Sequence, residues 1–379
     1  MRRRVRPVLI LLLTLGLLAF SLRNANLQGV WAETRRADAV PLVLALVATL
    51  ATYALRALRW QYLLAPLGKT RFSSAFRATV IGFAASFLLP ARAGEVIRPY
   101  VLARRERLSA PAAFATIILE RLLDLLIVLL LFALFVLTVG PGVVAGDPSE
   151  LARVKLGGIT AVVAALAGVT FFFVMAGHPE RLGRLALRLE AVLPARLSHA
   201  VAGFVQTFTQ GLAVMRQPRR LFVSLVLSFP LWLSIAAGIW LTSRAFHITF
   251  PFEASFLVMA VLVVGVAVPT PGAIGGFHAA YEFAVGTFFA APPDRAVGAA
   301  FVLHAISFVP VTILGVLFMV SEGLTLASAR EIAASATTDD VPTGDVPAGP
   351  PHPDGSPADT ISRTGAPPAL GAPAKRGAR

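Results

Sequence analysis

Two short stretches of this chain carry the residues that could do chemistry. From Phe83 to Arg107 the sequence reads FAASFLLPARAGEVIRPYVLARRER: apolar as far as Leu89-Pro90, then abruptly Arg92, Gly94, Glu95 and Arg98. The apolar segment from Ala112 to Val139 carries Glu120, Arg121 and Asp124 inside it. Arginine grips phosphate oxygens through paired hydrogen bonds, and a helix starting near Gly94 adds free backbone N–H groups beside Arg92 and Arg98. On that helix Glu95 and Arg98 share a face. The alternative is an ordinary basic loop lying on the bilayer. Glu120 and Asp124 are four residues apart on one helix, with Arg121 three residues before Asp124. At about 1.5 Å per residue Glu120 lies roughly 12 Å into its segment, where a charge facing lipid costs about 2.5–3.5 kcal/mol. The trio therefore faces protein or a polar cavity, either as a charge network that locks helices or as a substrate or proton site.

A third stretch, Val268-Pro269-Thr270-Pro271-Gly272-Ala273-Ile274-Gly275-Gly276-Phe277, is too rich in Pro and Gly for a plain helix interior. It lacks the Gly-Lys-Ser/Thr of a nucleotide-binding loop. His278, Tyr281 and Glu282 follow on one helical face; the region reads as a hairpin tip or as the lining of a cavity with Glu282 pointing inward. Pro90 to Gly94 and Pro271 to Gly275 share the pattern Pro-x-x-x-Gly. Interrupted segments in both halves of a membrane protein point to a transporter's central site, which makes Pro90, Gly94, Pro269, Pro271, Gly272 and Gly275 the expected hinges. His304 reads as a helix-contact residue, and Trp60, Trp232 and Trp240 as interfacial or packing residues. No Ser-His-Asp set or metal-ligand cluster is visible, so neither metal nor cofactor is expected.

The elements that position these residues follow from composition. Of 379 residues, 56% are hydrophobic and 14% charged, against about 25% charged in soluble domains. The fold class is all-α, a polytopic transmembrane helical bundle. Six stretches suit full spans: 7–22, 39–58, 112–139, 156–176, 221–243 and 296–322. The broken segments 76–90 and 254–290 read as re-entrant hairpins in an inverted repeat. With both termini in the cytoplasm, most Lys and Arg fall inside, as the positive-inside rule asks; a full span at 76–90 would put Arg92 to Arg107 outside. The net charge of +14 then reflects loops facing anionic lipid rather than nucleic acid. The basic N-terminus reads as an uncleaved first helix. Residues 178–220 suggest cytoplasmic interfacial helices, with Leu182, Leu185, Leu189 and Val192 on one stripe. The domain is expected over 1–330 and a disordered Pro-rich tail over 331–379. Cysteine is absent, which excludes disulfides, thiolate zinc sites and thiol catalysis.

Four motifs in order, Leu58-Arg59-Trp60, Pro90-Ala91-Arg92-Ala93-Gly94-Glu95 with Arg98, Glu120-Arg121 with Asp124, and Pro269-x-Pro271-Gly272-x-x-Gly275, resemble the transmembrane region of lysylphosphatidylglycerol synthases, also called the flippase-like family. The resemblance implies helical bundles with two opposed re-entrant segments around a cavity for a lipid headgroup. Full-length synthases add a soluble aminoacyl-transferase domain; here a Pro-rich tail follows, so that activity is not carried over. The expected function is a flippase of the bacterial inner membrane that moves a phosphate-bearing lipid or lipid-linked saccharide between leaflets. Arg92 and Arg98 would hold the phosphate, and Glu95, Glu120 and Asp124 would balance them or exchange protons. The expected partner is an anionic membrane lipid. The alternatives are a transferase using a polyprenyl-linked donor, or a scaffold for a separately encoded lipid-modifying enzyme.

Overall fold

The computed structural model describes residues 2–23, 25–89, 92–138, 217–268 and 270–324, with scattered positions from 143 to 167. Pro90, Pro269, most of the span expected at 156–176, the interfacial helices expected over 178–220 up to residue 216, and the tail 331–379 lie outside the described residues. Among those described, the regular structure is entirely helical.

Four helices are long and apolar enough to cross a membrane: α3 (Ala39–Leu64), α6 (Ala110–Thr138), and two later ones, Pro218–Ala245 and Pro293–Ser321. They contain the spans expected at 39–58 and 221–243 and, all but the last residue of each, those at 112–139 and 296–322. At about 1.5 Å per residue each exceeds the roughly 30 Å of a hydrocarbon core. The stretch 7–22 lies in α1 (Arg2–Leu22). Between α1 and α3 sits α2 (Leu27–Arg36), which begins where the Asn26 side chain accepts from the Gln28 N–H at 3.0 Å.

The two Pro/Gly-broken segments are pairs of short helices. α4 (Phe72–Leu88) is followed by α5 (Gly94–Glu106). Numbering on, α7 is Pro218–Ala245, α8 Ser255–Ala267, α9 Gly276–Phe289 and α10 Pro293–Ser321. The members of each pair have 13 to 17 residues, short of the roughly 20 that a span needs. Each pair packs helix on helix through glycine. A Cβ on Gly82 of α4 would stand 2.6 Å from the Cβ of Arg98 of α5, and one on Gly276 of α9 would stand 2.5 Å from the Gly265 carbonyl oxygen of α8. Neither approach tolerates a side chain.

Two apolar cores organise the rest. One gathers the end of α3 with α4, α5 and the start of α6, including Trp60, Ile81, Ile97 and Leu119. The other gathers α7, α8, α9 and the first half of α10 with the later part of α6, including Phe135, Phe246 and Phe288. α6 belongs to both, through Leu119 and Leu123 to the first and through Ile127 and Leu131 to the second. Glu120 and Asp124 occupy α6 where its allegiance changes. α3 packs along α7, and α10 along α4, which brings basic residues of α3 and polar residues of α7 to the same level.

Candidate functional site

The site is a buried cluster of charges on α3, α5 and α6. Arg56 and Arg59 point from one face of α3, Arg98 comes from α5, and α6 supplies Glu120, Arg121 and Asp124. The Arg98 Nη1 donates to Glu120 Oε1 at 2.8 Å, and the Arg59 Nη1 donates to Asp124 Oδ1 at 2.6 Å. Arg59 Nη2 lies 3.4 Å from Glu120 Oε1, and Arg56 Nη1 lies 3.4 Å from Asp124 Oδ2. Arg121 reaches back to both acids, at 3.3 Å from Glu120 and 3.6 Å from Asp124. From α7 the Trp232 indole N–H donates to Asp124 Oδ1 at 2.9 Å, and Arg59 Nη1 also donates to Ser228 Oγ at 2.8 Å. Asp124 is therefore the more fully bonded acid.

Burial decides what this arrangement means. Arg59 and Glu120 are fully buried, and Arg56, Arg98 and Asp124 nearly so, whereas the Arg121 side chain is 41% exposed. Removing ions from water costs several kcal/mol each unless pairing and hydrogen bonds repay it. Here repayment is incomplete, because four guanidiniums face two carboxylates. The Nε and Nη2 groups of Arg98 and of Arg59 find no hydrogen-bond acceptor, nor does Arg121 Nε; Glu120 Oε2 is also without a donor. Nε and Nη2 form the forked edge with which arginine grips two oxygens at once. The Arg98 guanidinium carbon lies over the Trp60 ring, 4.0 Å from its centroid. Trp60 in turn is anchored by its N–H to Thr116 Oγ1 at 2.9 Å. The cluster presents an excess of two positive charges and an unfilled arginine fork, with Arg121 at its open side. That chemistry suits an anion with several oxygens.

The structure brings together Arg98, Glu120, Arg121 and Asp124 from the expected set. It does not bring Arg92, Glu95 or Glu282 to them. Arg92, in a left-handed conformation (φ 53), donates from Nη2 to the Val266 carbonyl at the end of α8, 2.9 Å away, and its Nη1 stands 3.8 Å from Glu95. Both side chains are largely open, at 50% and 40%. The reason is local: the break sends Arg92 toward the second hairpin, while Arg98, about one turn into α5, faces α6. Glu282 of α9 accepts from the Ser21 hydroxyl of α1.

Two of the expected hinge positions, Gly272 and Gly275, shape the break between α8 and α9. Gly272 and Gly275 have positive φ, 61 and 88°. His304 Nε2, from α10, is hydrogen-bonded to the Gly272 carbonyl at 2.8 Å, so its role includes holding the break as well as packing helices. Its ring lies 4.8 Å from that of His278, and the Phe87 ring of the first hairpin lies 5.8 Å from it. Tyr281 shares a 2.7 Å hydrogen bond with Ser243 of α7. The tips of the two hairpins thus touch, through Phe87 and Arg92 on one side and Val266 and Gly272 on the other.

Arg56 and Arg59 were missing from the candidate set. A span ending at 58 leaves them at a membrane surface, where arginine is ordinary, but α3 continues to Leu64. Their signal was the helical spacing of Arg56, Arg59 and Trp60, at i, i+3 and i+4. Trp60 and Trp232 are buried members of the cluster rather than interfacial anchors. Among the described residues no group of three His, Cys, Asp or Glu side chains is placed to hold a metal ion.

Over 356 residues the chain is 26% identical to a protein named Glycosyltransferase AglD, from Haloferax volcanii; the match covers 88% of this chain and 57% of that one. The chain thus spans little more than half the length of that relative. Residues 8–315, which include the entire charged cluster and both hairpins, match the family described as the lysylphosphatidylglycerol synthase TM region. With its four long apolar helices, this chain is a multi-pass membrane protein belonging to that family.

Proposed function

We propose that the protein carries a phosphate-bearing lipid, or a lipid-linked saccharide, between the leaflets of the bacterial inner membrane. The observation that supports this best is the buried excess of positive charge with its unfilled fork on Arg98. A phosphate would take the Arg98 fork and draw Arg121 inward from its exposed position. Glu120 and Asp124 hold the arginines in register when no phosphate is bound, which limits the cost of an empty site. Arg92 would meet a headgroup only after releasing Val266, and Glu282 would serve the second hairpin. The two short, glycine-closed helix pairs touching at their tips suit an inverted repeat of opposed re-entrant segments, with both termini cytoplasmic.

Purified protein in liposomes, with a fluorescent anionic lipid and a membrane-impermeant quencher, tests this reading. Wild type should equilibrate the lipid between leaflets, and Arg98→Ala should slow it tenfold or more, because a lost charge-assisted contact costs about 1.5–3 kcal/mol. No equilibration by wild type with any phosphate-bearing lipid would sink the proposal. The name of the archaeal relative favours a second reading, a role in saccharide transfer to a lipid carrier. Sugar incorporation into polyprenyl phosphate without lipid equilibration would select it.

A further inference from the structure

Away from the buried cluster, where α4 begins and α5 and α10 end, a cavity of about 200 Å3 opens between Tyr100, Val101, Arg104, Arg105, Glu322 and Leu324. Glu322 stands just past the end of α10. Its Oε1 serves two guanidiniums from different helices: Arg105 of α5 in direct contact, and Arg77 of α4 at 3.5 Å. The Arg104 side chain, exposed beside them, makes no hydrogen bond or ion pair among the described residues. Two arginines therefore share a single oxygen of one carboxylate, and a third, Arg104, lines the cavity beside them.

We propose that this cavity is a binding site for a phosphate-bearing headgroup and that Glu322 is its built-in competitor. A phosphate offers three oxygens where Glu322 engages these helices through one, so Arg77, Arg104 and Arg105 each gain a separate acceptor, beside Tyr100 in the lining. Displacing Glu322 is cheap, since partly exposed ion pairs contribute little to stability. The position also has a direction. Arg105 follows Arg98 by seven residues, two turns or roughly 10.5 Å along one face of α5, so the cavity lies on the line that leads to the buried cluster. As a phosphate site the cavity stands on its own geometry; its service as a waiting position for transported lipid rests on the transport reading above.

Binding to the purified full-length chain tests it, with inorganic phosphate, glycerol 1-phosphate and nanodiscs containing phosphatidylglycerol as probes. Glu322→Gln should tighten binding by about threefold to tenfold, and Arg104→Gln should weaken it by a similar factor. Glu106→Gln makes the same charge change one residue from Arg105 but outside the cavity lining, and should leave binding within about twofold. A response of the small probes identifies a general phosphate site, and a response of the nanodiscs alone identifies a lipid headgroup site; either supports the proposal. Equal tightening by Glu322→Gln and Glu106→Gln would reduce it to surface electrostatics and overturn it. So would unchanged binding in Arg104→Gln, a variant that removes no internal contact and keeps the test independent of folding. If the Glu322 response holds while lipid equilibration is absent, the transport reading alone falls; if equilibration holds and the Glu322 response is absent, this inference alone falls.

Discussion

Where α4 returns as α5, the chain turns through Arg92 and delivers Arg98 to a buried set of charges. Where α8 returns as α9, it turns through Gly272 and Gly275 and delivers His278 and Tyr281 to aromatic rings and a hydroxyl. The closures correspond, glycine against helix in each case, with Gly82 under Arg98 and Gly276 under the Gly265 carbonyl. The chemistry does not correspond. The first hairpin's helix faces α6, which carries acids and a guanidinium; the second faces α10, which offers His304, Phe301 and Phe308. One backbone device, repeated, thus supports an ion-handling half and an apolar half, and what each half does is decided by the long helix behind it.

The largest way to break this contrast is to remove Asp124. Arg59 and Arg56 would lose their main counter-charge inside the protein, and the Trp232 N–H its acceptor. Asp124→Ala should destabilise by about 3–5 kcal/mol, the range for breaking a buried ion pair from one side. Glu282→Gln in the second hairpin keeps a partner for Ser21 and strands no cation, so it should cost under about 1 kcal/mol. Denaturation of the purified variants in detergent measures both. Equal losses would mean that the second hairpin is electrostatically loaded too.

Next in size is the device itself. Gly82→Val and Gly276→Val should each force a short helix away from its partner, at about 1–3 kcal/mol, the usual penalty for overpacking. Similar losses on thermal unfolding would confirm that both closures are structural. A loss at Gly82 alone would make the resemblance between the hairpins superficial.

Much of this was legible in the sequence, for reasons that particular residues make plain. α3, α6, α7 and α10 announce themselves by apolar runs of the length that lipid demands. Glu120 and Asp124 are conspicuous because, even with Arg121 between them, they stand deep in an apolar run where charges are costly. Arg59 stands in a family motif, yet its place in the site, like that of Arg56, was hidden because arginine at the end of an apolar run is the ordinary sign of a membrane surface. Only the packing of α3 against α6 and α7 distinguishes them from surface anchors. Glu282 was singled out, but its partner Ser21 lies 261 residues away, and no local pattern encodes such a pairing. The same holds for Arg92. Its chemistry was legible, whereas its target, a backbone carbonyl on the other hairpin, carries no sequence signature.

The smallest expected effect concerns that contact and sharpens the comparison most. Arg92 joins the two hairpins through one hydrogen bond from a half-exposed side chain to the Val266 carbonyl. Val266 sits in the last turn of α8, where carbonyls lack helical partners, so Arg92 satisfies an acceptor that the break in the chain leaves open. Arg92→Ala should therefore cost only about 0.5–1.5 kcal/mol of stability, and Arg92→Lys, which keeps a donor but not the planar fork, should cost less. As a clasp between hairpins, Arg92 would show this small loss in both the stability and the equilibration assay, with Lys restoring most of it. As a headgroup ligand equal to Arg98, it would instead leave stability unchanged while equilibration fell tenfold or more, and Lys would rescue it poorly because the bidentate grip is gone. Measuring both quantities on the same two variants decides whether the phosphate chemistry belongs to α5 and the buried cluster alone or is shared across the line where the hairpins meet.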